Sequence, residues 1–371
     1  MTKLGVLFSV LGVGAGCIPA FAQKQLPNII VMLSDDQGWG DLGFTGNTFV
    51  QTPNIDRIAH EGTILENFYV CPVSSPTRAE FLTGRYHVRS GVNSTTGGGE
   101  RFNLGEKTIA EYFREAGYAT SLFGKWHSGT QYPYHPNARG FEEFYGFCSG
   151  HWGNYWNPVL EHNGEIISGE GFIIDDLTDK ALDYIRDHKE HPFFMFLSYN
   201  TPHSPMQVPD SWWNRVKDRT LSQRATFPEQ EDTTFTKAAL ALAENLDWNI
   251  GRVLSLLHSL DLEQETIVIY FSDNGPNSFR WNGGMKGRKG STDEGGVRSP
   301  FCIRWPGHIR KGAVETQLSG AIDLIPTLLG LAGIEYTPLR KLDGIDWGQR
   351  LLDEKAPAID RVLYSYWGGK T

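Results

Sequence analysis

Three stretches of almost continuous apolar residues constrain the fold more than any other feature of this sequence. They cover residues 28–33, 193–199 and 266–271, and each is rich in Ile, Val, Leu or Phe. They lack the apolar–polar alternation of a strand that faces water on one side. Such runs are typical of strands buried on both faces of a parallel sheet. The sequence therefore predicts a central, mainly parallel β-sheet.

Helical patterns separate these strands along the chain. Apolar residues recur at helical spacing over residues 108–116, 175–189 and 236–260. Strands that alternate with helices pack as an α/β sandwich, with helices on both faces of the sheet. Residues 130–158 are rich in Gly, Pro, Tyr and Trp, and we expect them to form a loop. The length is that of one large α/β domain.

Charge and cysteine content argue against two classes of protein. The 371 residues include 34 Lys and Arg against 43 Asp and Glu, and this formal net charge of −9 argues against a general nucleic-acid binder. Of the four cysteines, only Cys71, Cys148 and Cys302 follow the predicted export signal described next. They allow at most one disulfide within the exported chain. The fold must therefore be stabilised by its core and by bound metal, because a disulfide framework needs more cysteines.

The first 22 residues have the features of an export signal. Lys3 gives a positive start, mostly apolar or small residues follow, and Ala20-Phe21-Ala22 forms a small-x-small cleavage box. Lipid attachment at Cys17 is an alternative reading of the same segment. No later apolar run is long enough to cross a bilayer. We therefore expect an exported protein, periplasmic or secreted, in which residues 23–371 form one domain.

Four oxygen donors directly follow two of the predicted strands. Asp35 and Asp36 follow the first apolar run, and Asp273 and Asn274 follow the third. The carboxyl ends of neighbouring parallel strands lie at one edge of a sheet, where ligands bind. Carboxylate and amide oxygens, without the cysteines or paired histidines of a zinc site, indicate a hard cation. Taken separately, each pair could instead be a helix cap or a simple turn.

The segment Ser74-Ser75-Pro76-Thr77-Arg78, with a Thr-Gly-Arg at residues 83–85, resembles the signature of the formylglycine-dependent sulfatases. In that family the first residue of the motif, a Cys or Ser, opens a helix and is converted to formylglycine, whose hydrate attacks the sulfur of a sulfate ester. Ser74 holds this position, because Pro and Arg follow it at the required spacing, which they do not from Cys71. The resemblance implies a formylglycine-generating maturation enzyme as a partner. A Cys replaced by Ser would give the same segment.

Three further segments resemble the same family, in the same order. They are Gly124-Lys125-Trp126-His127, the Pro-His segment at residues 199–205 that contains His203, and residues 285–298, which assign Lys289 rather than Lys286 as the sulfate-binding lysine. Alone, the first would be read as a solvated surface pair and the second as a histidine in a turn. Together and in order they are typical of the family. The resemblance extends from residue 28 to residue 344.

The resemblance implies a fold and a role for each of these residues. The implied fold is that of the alkaline-phosphatase superfamily, a mainly parallel sheet sandwiched by helices, with a smaller C-terminal subdomain that is incomplete at residue 371. One Ca²⁺ would be held by an oxygen of residue 74 together with Asp35, Asp36, Asp273 and Asn274. Negative charge on the sulfate would be stabilised by Arg78, Lys125 and Lys289. Proton transfer would involve His203 at the departing alcohol and His127 at the hydrate, and Ser149 would contact substrate.

We therefore expect a calcium-dependent sulfuric ester hydrolase. Export and the aromatic residues Trp152, Tyr155 and Trp156 favour a sulfated saccharide as substrate, since flat rings suit sugars, although the same side chains could simply pack a loop. Two alternatives stay open. One is a non-catalytic binder of sulfated glycans in which Ser74 is unmodified. The other is a phosphatase or phosphodiesterase of the same superfamily, which would use two metals bound by several His and Asp.

Overall fold

A computed structural model describes residues 1–2 and 26–369 of the chain. The predicted export signal, residues 1–22, falls almost entirely outside the described residues. Within them, no helix combines the length and the apolar character needed to span a bilayer. The expectation of an incomplete C-terminal subdomain stays a prediction.

A ten-stranded sheet forms the centre of the described part of the chain, with a second sheet of two strands. The strands are β1 (Asn28–Ser34), β2 (Thr63–Leu65), β3 (Phe68–Tyr69), β4 (Ala119–Lys125), β5 (Glu143–Phe147), β6 (Val159–His162), β7 (Glu165–Ser168), β8 (Phe193–Ser198), β9 (Thr266–Ser272), β10 (Phe301–Arg304), β11 (Ala313–Glu315) and β12 (Ser319–Gly320). Across the large sheet their order is β11-β2-β10-β9-β1-β8-β4-β5-β6-β7. In the small sheet β12 pairs with β3.

Helices cover both faces of the large sheet. The apolar residues of α2, α4 and α9 belong to the core on one face, and those of α1, α5 and α7 to the core on the other. The helices are α1 (Pro53–Glu61), α2 (Ser74–Thr83), α3 (His87–Ser90), α4 (Ile109–Glu115), α5 (Ile173–Asp187), α6 (Asp210–Val216), α7 (Thr233–Ser259), α8 (Glu294–Val297), α9 (Leu324–Ala332) and α10 (Gly348–Leu352). The predicted α/β sandwich is confirmed.

The middle of the sheet is parallel, as the apolar runs predict. Strands β9, β1, β8, β4 and β5 all run in one direction, and Leu33 near the end of β1 lies opposite Ser198 of β8 and Phe271 of β9. The segments that follow β1, β4, β8 and β9 therefore emerge at the same edge of the sheet. This edge carries every cluster of polar residues that the sequence singles out.

Strand β1 shows why these runs are apolar at every position. Its side chains point alternately to the two faces of the sheet. Ile29, Val31 and Leu33 pack into one core, while Ile30 and Met32 pack into the other. All five are fully buried, so a polar residue at any of these positions would lie in an apolar layer.

The expectation of a loop over residues 130–158 is wrong in part. The segment contains a 3-10 turn, Pro136–Ala138, and the strand β5, which pairs with β4. Gly146 of β5 lies opposite Gly124 of β4, and a Cβ on Gly146 would lie 2.0 Å from the Gly124 carbonyl oxygen. Gly146 is therefore required by a close approach of two strands, a role that composition alone does not separate from that of a glycine in a loop.

Helix α1 is capped by a residue of another helix. The side chain of Thr52 does not cap it. Instead, Asp247 of α7 accepts hydrogen bonds from the backbone N–H groups of Asn54 at 2.9 Å and Ile55 at 2.8 Å, and from the Asn54 amide at 2.8 Å. One buried carboxylate thus satisfies the N-terminus of α1 and fixes α1 against α7.

Asp247→Ala is expected to lower the free energy of unfolding by about 1–3 kcal/mol, because two buried N–H groups lose their acceptor. Urea titration followed by circular dichroism measures the change. Asp247→Asn retains an acceptor oxygen and should lose clearly less. Equal stability of Asp247→Ala and the wild type would show that the contact contributes nothing.

Candidate active site

The polar residues that follow β1 and β9 form the base of the site. Asp35, Asp36, Asp273 and Asn274 are each at most 1% exposed. The backbone N–H of Asp36 donates to Asp273 Oδ1 at 3.1 Å, and Asn274 Nδ2 donates to Asp36 Oδ1 at 2.9 Å. Asp36 adopts a left-handed conformation, with φ of 65°. The structure thus brings together the four oxygen donors that the sequence places at two separate strand ends.

Helix α2 presents Ser74 to this base. It begins at Ser74 and ends before Gly84, which closes it in a left-handed conformation with φ of 65°. Thr77 Oγ1 donates to the carbonyl oxygen of Asp273 at 2.6 Å and so ties the first turn of α2 to the end of β9. The Ser74 side chain therefore lies at the positive end of a helix and next to carboxylates.

The Ser74 hydroxyl lies among two acids and two cations. It donates a short hydrogen bond to Asp273 Oδ2, and Asp35 Oδ1 lies 3.3 Å away. Lys125 Nζ donates to Ser74 Oγ at 3.0 Å, and Arg78 Nε does so at 3.3 Å. Any oxygen that residue 74 carries is thus fixed from several directions.

Three cations pair with the three carboxylates. Lys125 Nζ lies 2.7 Å from Asp35, Arg78 lies 3.1 Å from Asp273, and Lys289 Nζ lies 2.6 Å from Asp36. The Arg78 and Lys125 side chains are buried, whereas that of Lys289 is 26% exposed. Arg78 also donates to the Lys125 carbonyl oxygen at 2.9 Å and so fixes the end of β4.

Lys289, and not Lys286, reaches the site. The Lys286 ammonium pairs with Asp293 at 2.9 Å, and its side chain is 80% exposed. The family resemblance assigns the same lysine. Gly290, the residue after Lys289, donates its backbone N–H to the Pro72 carbonyl oxygen at 2.7 Å. This hydrogen bond holds the loop that carries Lys289 next to the start of α2.

The electrostatics of the base favour a bound cation. Burial opposes ionisation of Asp35, but Lys125, His203 and Arg78 hold the pKa of this carboxyl well below its ordinary value. Burial, and secondly the charge of Asp35, raise the pKa of Asp273. The two neighbouring carboxylates therefore repel each other, and the local cations do not remove the repulsion at Asp273.

The donor set fits a hard cation such as Ca²⁺. Asp36 Oδ2 and Asn274 Oδ1 are buried and accept no hydrogen bond from any residue that the structure describes, although His203 Nε2 lies 3.5 Å from the first. Buried oxygen acceptors without donors are unfavourable unless something else satisfies them. Together with Asp35 and Asp273 they provide only oxygen ligands, which Ca²⁺ prefers in proteins.

His127 is held as a neutral base. Its Nε2 lies 2.8 Å from the carbonyl oxygen of Thr95, which can only accept, so Nε2 carries the hydrogen. Nδ1 is buried and has no hydrogen-bond partner among the described residues. Burial, reinforced by Lys125, lowers the pKa of His127 well below 6.5. The imidazole is therefore neutral at neutral pH, and its Nδ1 carries a free lone pair.

His203 has an acceptor near each ring nitrogen. Nδ1 lies 2.7 Å from the Ser204 carbonyl oxygen, and Nε2 faces Asp36 Oδ2 at 3.5 Å. Tyr155 is fully buried, and its hydroxyl donates to the His203 carbonyl oxygen at 2.8 Å. Tyr155 thus fixes the His203 loop. For Tyr155 the structure favours the packing alternative over contact with a sugar.

The predicted site residues and several unpredicted ones line one cavity of about 530 Å³. The predicted ones are Ser74, Lys125, His127, Ser149, His203 and Lys289. Those that sequence reasoning missed are Val73, Thr95, Thr96, Gly150, His151 and Trp367. No motif marks these six, although Val73 directly precedes Ser74, and Gly150 and His151 directly follow the predicted Ser149. The predicted aromatic residues Trp152, Tyr155 and Trp156 are not among the residues that line it.

Gly150 lies directly against the His127 ring. A Cβ on Gly150 would lie 2.1 Å from His127 Nε2 and 2.5 Å from its Cε1. His127 is itself in a left-handed conformation, with φ of 59°, and its Nε2 is already bound to Thr95. Any side chain at position 150 must therefore displace the imidazole or break this hydrogen bond.

Gly150→Ala is expected to lower kcat/KM by about 10- to 100-fold, because a displacement of about 1 Å in a catalytic group can cost about 100-fold. Steady-state kinetics on a sulfate ester measures the effect. Gly153→Ala is the matched control, since a Cβ on Gly153 meets nothing within 4 Å. Equal activity of the two variants would mean that the position of His127 does not limit turnover.

Comparisons with known proteins identify the family to which the chain is similar. The family profile described as Sulfatase matches residues 27–334. The chain is 32% identical to N-acetylgalactosamine-6-sulfatase of Mus musculus, over 99% of this chain and 72% of that protein. A solved structure of Ps i-CgsB in complex with k-i-k-neocarrahexaose is 32% identical, with a TM-score of 0.78 over 88% of this chain and 76% of that one. The PsFucS1 sulfatase from Pseudoalteromonas sp. is 26% identical, with a TM-score of 0.79 over 93% and 75%.

Proposed function

This chain belongs to the sulfatase family and is a sulfuric ester hydrolase, and we propose that it removes sulfate from a sulfated saccharide outside the cytoplasm, using formylglycine at position 74 and one Ca²⁺. The observation that carries the proposal is the environment of Ser74. Its hydroxyl lies within hydrogen-bonding reach of Asp35, Asp273, Lys125 and Arg78. An ordinary buried serine does not require two acids and two cations around it.

Two groups would complete this site. Formylglycine at position 74 would supply an oxygen nucleophile for attack on sulfur, and a bound Ca²⁺ would supply positive charge next to it. The four donors Asp35, Asp36, Asp273 and Asn274 would hold the cation. A cation bound there would also relieve the repulsion between Asp35 and Asp273.

The fixed cations of the protein bind and orient the sulfate. Lys125 and Lys289 both line the cavity, and both are held by carboxylates, so that their positions are set before substrate binds. Positive charge aimed at oxygens on which negative charge develops lowers the barrier. Arg78 does not line the cavity. Its part is to hold residue 74 and the end of β4 in place.

The two histidines divide the proton transfers. We assign to His203 the donation of the Nε2 proton to the oxygen of the departing alcohol. To His127, whose Nδ1 is neutral and has no partner among the described residues, we assign acceptance of the proton that residue 74 must lose when sulfate is released. Proton transfer from a positioned side chain contributes about 10²–10⁴-fold to a rate.

A saccharide substrate is supported by the similar proteins. The mouse relative is named for N-acetylgalactosamine, and Ps i-CgsB was solved with a neocarrahexaose. Export, which the N-terminal segment predicts, is consistent with polymeric glycans that do not enter the cytoplasm. The proposal therefore includes a periplasmic or secreted location and a maturation enzyme that modifies Ser74.

One pair of protein preparations can test both the modification of Ser74 and the activity. Protein is produced with and without a formylglycine-generating enzyme, and the peptide that contains Ser74 is analysed by mass spectrometry. Modified peptide is lighter by two hydrogen atoms. Sulfate release from a panel of sulfated mono- and oligosaccharides, measured by ion chromatography, should appear only in the modified sample. Full activity with unmodified Ser74 would overturn the formylglycine assignment, and release from aryl sulfates alone would overturn the saccharide assignment.

A further inference from the structure

The cavity around Ser74 is larger than a sulfate group requires. Its volume of about 530 Å³ lies within the range of about 300–1,000 Å³ that is usual for sites enclosing a small organic ligand. Part of its lining handles the sulfate, as proposed above. The remaining wall must then face the group that carries the sulfate. We define this remaining wall as Val73, Thr95, Thr96, Ser149, Gly150, His151 and Trp367.

The remaining wall contains hydroxyls and rings, and it lacks fixed charge. None of its described residues is Asp, Glu, Lys or Arg. Burial, and secondly the neighbouring His203 and Lys125, lower the pKa of His151, so this imidazole is neutral at neutral pH. The two lysines of the cavity are already paired with Asp35 and Asp36.

A wall of this kind matches the hydroxyl groups of an uncharged sugar. A ring carboxylate or a second sulfate would lose its hydration without gaining a cationic partner, and an unpaired buried charge is strongly unfavourable. Proteins that recognise such groups usually present an Arg to them. The described lining of the cavity contains no Arg.

Trp367 is the tryptophan of the remaining wall, and neighbouring residues anchor the segment that carries it. Arg361, earlier in the same segment, donates to both carboxylate oxygens of Asp323 at 2.7 and 2.6 Å. The ring of Tyr366 stacks on that of His87, with centroids 6.4 Å apart. Trp367 itself is half-buried. A half-buried indole on an anchored segment can bind the apolar face of a sugar ring, and the ligand then has less of the chain to order.

We infer that the sulfated ring bound here carries no second anionic group and that Trp367 is a specificity-determining residue that stacks on this ring. The inference rests on the proposed saccharide substrate. It names the class of that substrate as a neutral sugar or N-acetylated amino sugar with one sulfate. It also assigns sugar recognition to Trp367, near the C-terminal end of the described residues, in place of the predicted Trp152, Tyr155 and Trp156.

Binding to Ca²⁺-loaded protein with unmodified Ser74 tests the charge requirement, because this form cannot turn over. The probes are galactose 6-sulfate, N-acetylgalactosamine 6-sulfate, N-acetylgalactosamine 4,6-disulfate and inorganic sulfate, measured by isothermal titration calorimetry at constant ionic strength. We expect the better monosulfated sugar to bind at least about 10-fold more tightly than the disulfate, since an unpaired buried charge costs more than 1.4 kcal/mol. Equal or tighter binding of the disulfate would overturn the inference.

Variants of Trp367 test the residue. Trp367→Ala should weaken binding of the better monosulfated sugar by about 10- to 100-fold, as is usual when a central tryptophan is truncated. Binding of inorganic sulfate should change less than about 2-fold, which is within the ±0.5 kcal/mol of a neutral substitution. Trp367→Phe keeps a flat ring and should retain most of the affinity. Trp156→Ala removes a tryptophan that is 47% exposed and does not line the cavity, and it should have no effect.

The outcomes separate this inference from the function on which it rests. If the matured enzyme releases sulfate from saccharides but Trp367→Ala binds them as tightly as the wild type, the inference is wrong and the proposed function stands. If Trp367→Ala weakens inorganic sulfate as much as sugar, the residue supports the fold of the pocket and does not select the ring. If the matured enzyme releases sulfate from no saccharide, both fail.

Discussion

Asp273→Asn is expected to abolish sulfate release, with a loss in kcat/KM on the order of 10³-fold or more, since a catalytic metal contributes several kcal/mol and each 1.36 kcal/mol is a factor of ten. Asp273 hydrogen-bonds to Ser74, pairs with Arg78 and accepts from the backbone of Asp36. Removing its charge therefore weakens the proposed cation site and the hold on residue 74 together. Asp35→Ala should be inactive for the same reason.

A second readout separates loss of the cation from loss of the fold. Added Ca²⁺ should raise the thermal midpoint of the chelated wild type, because a ligand that binds only the folded state stabilises it, and it should leave Asp273→Asn unchanged. Asp176→Asn is the control, since Asp176 of α5 is also buried but accepts a hydrogen bond from the Tyr145 hydroxyl of β5, at 2.7 Å. Full activity of wild type from which metal has been removed and verified absent would contradict the metal assignment.

His203→Ala should impair the enzyme according to the leaving group. A departing sugar alkoxide needs a proton, whereas a nitrophenolate scarcely does. The loss in kcat/KM should therefore be about 10²–10⁴-fold on a sugar sulfate and much smaller on an activated aryl sulfate. Both assays require protein with confirmed formylglycine, since unmodified protein would be inactive for an unrelated reason.

Lys289→Ala provides the contrast to His203→Ala. Lys289 is placed to bind the sulfate group, which every substrate shares, so its removal should damage both reactions to a similar degree. Equal losses on the two substrates for His203→Ala would instead assign His203 to sulfate binding or to structure. The main role of His203 would then be to hold Asp36, whose Oδ2 lies 3.5 Å from His203 Nε2.

The sequence predicts the base of the site well because each part of it lies in a local pattern. Asp35 and Asp273 each end an apolar run, and runs of this kind become neighbouring parallel strands. Ser74 begins a helix whose motif fixes the register. For these residues, local sequence determines the structure, and the sheet then brings their ends together.

The cavity wall could not be predicted in the same way. Thr95 and Trp367 lie far apart in sequence and meet only in the folded chain, and neither lies in a pattern with helical or strand spacing. Tyr155 illustrates the opposite error. An aromatic residue in a Gly-rich segment suggests an exposed binding face, but this ring is buried and its hydroxyl holds the His203 loop. Composition does not distinguish the two, because burial depends on what packs against the segment.

If Ser74 is modified as proposed, the burial of α2 determines when the protein can mature. All ten residues of the helix are buried, and Ser74 is only 2% exposed. A modifying enzyme must surround the segment that it oxidises, so it cannot act once α2 has docked between the sheet and its neighbouring helices. Modification and folding therefore compete for each newly made chain. Whichever occurs first decides whether that molecule becomes an active enzyme or a permanently inactive copy, so the active fraction of a preparation records the ratio of two rates.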